Sequence, residues 1–115
     1  PLHNNIKERI VAMNETDTSL IFRTFKNTAR VLTNAVAIKV AEVESQGGDF
    51  GQVHGLVSGA KQDETWKSGD IDGGMITVGM CGGLINDIPT CKELVDTIVA
   101  DAEEIINHRL SAMTA

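Results

Sequence analysis

The chain has 115 residues and a mass of 12.3 kDa, room for one small domain whose folding hides roughly two thirds of the unfolded surface. Ten basic against sixteen acidic residues leave a net charge of −6 and an isoelectric point near 4.9, which argues against nucleic-acid phosphates and anionic membrane surfaces as partners. Aromatics make up only 3%, too few for a base-stacking platform, and no apolar run approaches the ~18 residues of a membrane span. The chain opens at Pro1 rather than Met, as processing, tag removal or a cut boundary would leave it. Cys81 and Cys91 lack CxxC spacing and read as ordinary thiols of a cytoplasmic protein rather than as zinc ligands or a disulfide framework.

Helical periods dominate. Asn4 or Asn5 is expected to cap a first helix carrying Ile6, Ile10, Val11 and Met13. The β-branched and aromatic run Thr18–Arg23 then reads as a short extended piece, which needs a strand partner in this chain or in another. From Asn27 or Thr28 to Gln46 the spacing of Val31, Leu32, Ala35, Val36, Val40 and Val43 predicts one long helix, stopped by Gly47-Gly48. Asp49, with Gln52 three residues on, opens a shorter helix whose Phe50, Val53, Leu56 and Val57 face inward. Another short helix is expected from Ala60 to Lys67, anchored by Trp66.

Between residues 69 and 83 lie six of the eleven glycines. Asp70 looks like an N-cap, with Ile71, Met75, Val78, Leu84 and Ile85 along a helix, yet each interior glycine costs a helix about 0.8–1 kcal/mol. Such a run is tolerated where another helix or a flat ligand must approach the backbone closely. It is not a phosphate loop, since neither GxGxxG nor GxxxxGK[ST] is present. The last helix is the plainest. Pro89 precedes the capping box Thr90-x-x-Glu93, and Leu94, Val95, Ile98, Val99, Ala102, Ile105, Ile106 and Leu110 form one apolar stripe.

Few residues cluster as chemistry requires. His3, His54 and His108 are isolated from one another, so a metal site is not expected, and Cys81 among its glycines reads as a small buried thiol. The acidic run Asp101–Glu104 is a solvated helix face. Arg23, Lys26 and Arg30, placed near the expected helix start, oppose the helix dipole. They read either as a site for a carboxylate or phosphate or, more simply, as salt bridges to Glu15, Asp17 or a partner's acid.

Five segments occur in a familiar order: Thr16-Asp17-Thr18, Arg23-Thr24-Phe25-Lys26-Asn27-Thr28-Ala29-Arg30, Leu56-Val57-Ser58-Gly59, Gly69-Asp70-Ile71-Asp72 and Gly83-Leu84-Ile85-Asn86-Asp87-Ile88-Pro89-Thr90. They resemble the C-terminal part of the nitronate monooxygenase family, formerly 2-nitropropane dioxygenases. These FMN-dependent (β/α)8 barrels include NAD(P)H:quinone reductases and an enoyl reductase branch. In that family the glycine-rich loops that hold the FMN phosphate, and the catalytic histidine, lie upstream of the portion that this chain resembles. The resemblance also implies that Thr77, Gly79 and Met80 lie where the family's chain approaches the flavin, although the family often has Ser and Gln where Thr77 and Met80 stand.

The expected fold is therefore mainly α, five or six helices with at most a short β element. It corresponds to the C-terminal part of the barrel family and not to a complete barrel, which takes ~250 residues. Residues 1–68 would form lid or substrate-side helices, and residues 69–115 the glycine-rich segment and closing helix. The chain alone is expected to hold no FMN and to be catalytically inactive. The alternative is a small self-associating interaction module. In either case the uncovered Leu94–Leu110 stripe and the Leu20–Phe25 segment predict a homodimer.

Overall fold

The computed structural model describes residues 2–113. It is mainly helical: α1 (Asn4–Val11), β1 (Thr18–Ile21), β2 (Ala29–Leu32), α2 (Ala35–Ser45), α3 (Gly51–Val57), α4 (Gly59–Ser68), a 3-10 turn (Met80–Leu84) and α5 (Cys91–Glu104). The last helix continues through a π turn (Ile105–Leu110) into Ser111–Met113.

The long helix expected over 27–46 is split. Its first part is β2, antiparallel to β1 with Thr18 opposite Leu32 and Ile21 opposite Ala29. The helix starts only after Asn34, whose side-chain oxygen accepts from the Ala37 N–H. Val31 and Leu32 fit a helical stripe and a strand equally well, and the partner strand decides between them. It also answers the pairing problem of Thr18–Arg23 inside the chain, so strand pairing no longer argues for a second copy. β2 is flanked on both sides, because Thr77 pairs with Val31 across its other edge.

The core lies on both faces of this small sheet. Ile21, Phe22, Val31, Val36, Ala37, Val40, Val53 and Val57 pack on one side, and Ile6, Met13, Leu32 and Ile76 on the other. Neighbouring Val31 and Leu32 thus serve opposite faces, as strand alternation requires. α1 is capped by His3 rather than by Asn4 or Asn5: its Nδ1 accepts from the Asn5 N–H at 3.2 Å. Asp49 and Gln52 form the expected reciprocal pair before α3, Gly47 stops α2 at φ 73°, and Ser58 caps α4. On α4 it is Thr65 that is buried; Trp66, expected as the anchor, is exposed.

The 69–83 stretch is no helix. Asp70 closes a tight turn by accepting from the Asp72 N–H, and the chain then runs along β2 before the 3-10 turn. The Thr90–Glu93 capping box forms in full, and the Thr90 hydroxyl and amide hold the Glu93 carboxyl below its usual range. Beyond it the C-terminal helix projects from the body. The radius of gyration is 18.1 Å, against about 13 Å for a compact chain of this length. No described residue of this helix is buried. Among the described residues no helix is long and apolar enough to cross a membrane.

Candidate functional site

The segment Thr77–Met80 is held from behind. The Leu32 N–H donates to the Ile76 carbonyl at 2.9 Å and the Val78 N–H to the Arg30 carbonyl at 3.4 Å. Ile76 is buried in the core, whereas Thr77, Gly79 and Met80 are exposed. Continuing that register carries Gly79 toward Ala29, so the segment runs to the same end of the sheet as the β1–β2 turn. Asn34 fixes the approach. Its buried amide donates to the Ile71 and Gly74 carbonyls at 2.7 and 2.9 Å, while Asp72 accepts from the Ala35 N–H at 2.9 Å.

Most glycines of this stretch admit the chain's own atoms. A Cβ on Gly74 would lie 2.5 Å from the Thr65 hydroxyl, and one on Gly83 would lie 2.7 Å from the Glu15 amide nitrogen. Gly79 differs: a Cβ there would meet only its near neighbour Cys81. Internal packing does not require a glycine at this exposed position.

Arg23 and Lys26 occupy the β1–β2 turn rather than a helix start, since α2 begins at Ala35. The Lys26 N–H donates to the Arg23 carbonyl at 3.3 Å, and Phe22 and Lys26 take φ values of 62° and 57°. Positive φ is uncommon for a bulky side chain. Here it is held by the Phe22–Phe25–Phe50 cluster, with ring centroids 5.8 to 6.2 Å apart, and by Glu44. The Arg23 and Lys26 side chains are exposed, and among the described residues neither forms an ion pair. Among the described residues the cluster forms no salt bridge to Glu15 or Asp17; Asp17 pairs with Arg9 at 3.4 Å. Arg30 points elsewhere, donating to the Thr18 hydroxyl at 2.8 Å. Arg23 borders a shallow depression of 510 Å³ with Leu20, Thr24, Ala41, Glu44 and Ser45.

Glu44 is the latch of this turn. Its carboxylate accepts from the Phe22 N–H at 2.8 Å and from the Thr24 N–H and hydroxyl, each at 2.9 Å. Partial burial pushes the carboxyl up, but the Thr24 and Phe22 hydrogen bonds outweigh it and hold the group below its ordinary value. A depressed folded-state value means stability that is present above the unfolded pKa and is lost as pH falls through the folded one. Glu44→Gln is expected to cost about 1 kcal/mol at pH 7, discounted for the half-exposed site, and progressively less as pH falls through the lowered folded-state value and the wild-type carboxyl takes up its proton. Urea titrations of both proteins across that range measure the difference.

Among the described residues no group of histidines, cysteines and carboxylates could hold a metal ion. His3 caps α1, and the His54 ring packs on Phe50. Both cysteines are free and exposed; Cys81, expected to be buried, sits on the outer side of the 3-10 turn. A groove of 610 Å³, lined by Ile10, Val11, Leu84, Ile88 and Leu94 among others, separates α1 from the root of the C-terminal helix. Asn34 and Glu44 were not singled out from sequence. The first had a signal, an Asn directly before an alanine- and valine-rich helical run. The second had none, since its partners lie 20 and 22 residues away.

For the flavin of the resembled family the fit is partial. The exposed Thr77 hydroxyl, the uncrowded Gly79 and the thioether of Met80 suit one edge of a flat ring, while the sequence carries no loop for its phosphate.

No family model matches the chain. A curated relative, the (3aS,4S,5R,7aS)-5-hydroxy-7a-methyl-1-oxo-octahydro-1H-indene-4-carboxyl-CoA dehydrogenase of Rhodococcus jostii (strain RHA1), is 37% identical over 65 residues, covering 42% of this chain and 18% of the relative. The solved structure of FabK from Thermotoga maritima superposes with a TM-score of 0.84 at 26% identity, covering 97% of this chain and 35% of FabK. A methionine-to-alanine variant of the same enzyme gives 0.72 at 24% identity, over 96% and 32%, and speaks to the fold alone. The chain thus spans about a third of FabK and less than a fifth of the curated relative, and it has the mainly helical, unclosed fold of part of a barrel protein.

Proposed function

We propose that the chain is the C-terminal lid and closing-helix portion of an FMN-dependent oxidoreductase resembling nitronate monooxygenase, working in the cytoplasm. The observation that carries this reading is the superposition of 97% of the chain on 35% of FabK. The dehydrogenase likeness, though short, points to oxidoreductase chemistry as well. In this reading the flavin supplies the redox chemistry. Thr77, Gly79 and Met80 line one edge of its ring, and Arg23 and Lys26 attract an anionic group of the substrate, while Arg30 is turned to the Thr18 hydroxyl. The phosphate loops and the catalytic base belong to the other portion of the protein, so this chain alone does not turn over. A helical self-associating module is the second reading, favoured by the uncovered face of the C-terminal helix.

Purified chain titrated with FMN is expected to show no shifted flavin absorbance at micromolar concentration and no nitronate oxidation. A yellow protein that keeps stoichiometric flavin through gel filtration overturns the division of labour. The upstream coding sequence tests the rest: the reading frame should continue through roughly 200 residues of barrel with a glycine-rich phosphate loop, and an upstream stop codon refutes the fragment reading.

A further inference from the structure

We infer that the C-terminal helix is a strap: it opens independently of the body and becomes stable only when closed on the rest of a longer fold. Its own sequence supports it weakly. The Thr90–Glu93 capping box and the Lys92–Asp96 pair steady the first turns, yet an exposed pair of this kind adds little. Between Cys91 and Leu110 six residues are β-branched, Val95, Thr97, Ile98, Val99, Ile105 and Ile106, and branching at Cβ costs a helix side-chain freedom. The π turn over Ile105–Leu110 adds a second weak point, since i to i+5 bonding is rare and seldom extends beyond one turn. Helices of a few turns are marginal in water unless one face is packed. No described residue of this one is buried.

The body does not need the helix. Both halves of its core are built from residues 2–78, with Ile6, Ile21, Leu32, Val40 and Val53 fully buried. The two parts meet through residues 85–90, which belong to neither helix nor strand. Asn86 pins the start of this connection by donating to the Leu84 carbonyl at 3.1 Å. Gly82 and Gly83 lie against Met13 and the 14–15 backbone, so the hinge falls after them and Thr77–Met80 stays with the body. What closes the strap follows from the superposition. A match over 97% of the chain necessarily includes this helix, while most of FabK has no counterpart here. The apolar face of Leu94, Ile98, Ile105 and Leu110, 45–58% exposed, therefore closes on the upstream portion; this half of the inference rests on the proposed function.

Hydrogen exchange on the 115-residue chain tests the strap. Relative to unfolded-chain rates, the amides of residues 95–110 should exchange at least about 100-fold faster than those of Leu32 and Val40. Equal protection of the two sets overturns independent opening. Val99→Pro breaks the helix and should leave the urea midpoint of the body, followed by Trp66 fluorescence, within about 0.3 M of wild type. A larger fall makes the helix part of the cooperative unit and overturns independent opening as well. In the longer oxidoreductase the same amides should slow by about 100-fold or more, and exchange as fast as in the chain alone overturns the closing. Protection that appears in the chain alone only as it is concentrated from about 10 to about 500 μM gives the face to a second copy and also overturns the closing. An upstream stop codon refutes the closing together with the reading it rests on, and leaves independent opening to the exchange rates.

Discussion

Asn34→Ala is expected to lower the stability of the chain by about 3 kcal/mol. The side chain is 6% exposed, and each of its polar atoms is in use. Its oxygen caps α2 through the Ala37 N–H, and its nitrogen ties down the Ile71 and Gly74 carbonyls at 2.7 and 2.9 Å. Losing the cap costs about 1 kcal/mol. Leaving two carbonyls without their donor, one of them fully inside, costs about 1–3 kcal/mol more. Asn34→Ser should recover the cap alone, about 1 kcal/mol, and Asn34→Asp should not rescue at all, since it turns a carboxylate on the same two carbonyl oxygens. Urea unfolding followed by circular dichroism gives the numbers, and a loss below about 1 kcal/mol for Asn34→Ala would show that the loop is held by other contacts. Amide exchange supplies the functional half. The loop that Asn34 holds leads directly into Thr77–Met80, so faster exchange at the Leu32 and Val78 amides is expected in the variant.

That buried amide also marks where the sequence stopped being legible. The capping box at Thr90–Glu93 is contained within four residues and forms as the sequence predicts. The helix-stopping glycine at Gly47 is equally local. The split of the expected 27–46 helix was not local. Val31, Leu32, Ala35 and Val36 suit a helix, and only pairing with Thr18–Ile21 and Thr77 makes the first two a strand. The isolated strand that needed a partner was itself the clue, because the nearest β-branched segment able to turn back on it is Ala29–Leu32. Trp66 was misassigned for a related reason. Size suggested an anchor, but α4 presents the face of Thr65 to Gly74, and that choice is made by a residue nine positions on. Of the cation cluster, Arg23 and Lys26 share a strand turn fixed by a glutamate 20 residues from Thr24 instead of a helix start, and Arg30 leaves them for β2 and the Thr18 hydroxyl.

The sequence offers two reasons for the glycines of the 69–83 stretch, close approach of another part of the chain or of a flat ligand, and substitution can tell them apart. Gly83→Ala is expected to cost about 2–3 kcal/mol. Its Cβ would lie 2.7 Å from the Glu15 nitrogen and 3.1 Å from the Asn14 carbonyl carbon, both main-chain atoms on the connection between α1 and β1. A side chain can rotate away from such a contact; backbone fixed between a helix and a strand cannot, so the 3-10 turn must lift off instead. That turn carries the root of the C-terminal helix, and its Gly82 lies against Met13 of the core. Gly83→Ala should therefore loosen the packing around Met13 as well as lower the unfolding midpoint. Gly79→Ala is the control that gives the comparison its meaning. At φ −83° and ψ 169° the backbone suits any residue, and the new methyl would meet only the Cys81 sulfur at 3.2 Å and the Cys81 nitrogen at 3.9 Å. The expected change in stability is within about 0.5 kcal/mol. If Gly79→Ala proves as costly as Gly83→Ala, the glycine serves the fold and its place beside a flavin loses its support. If it is neutral in this chain yet weakens flavin binding in the longer oxidoreductase, the glycine is there for what approaches from outside.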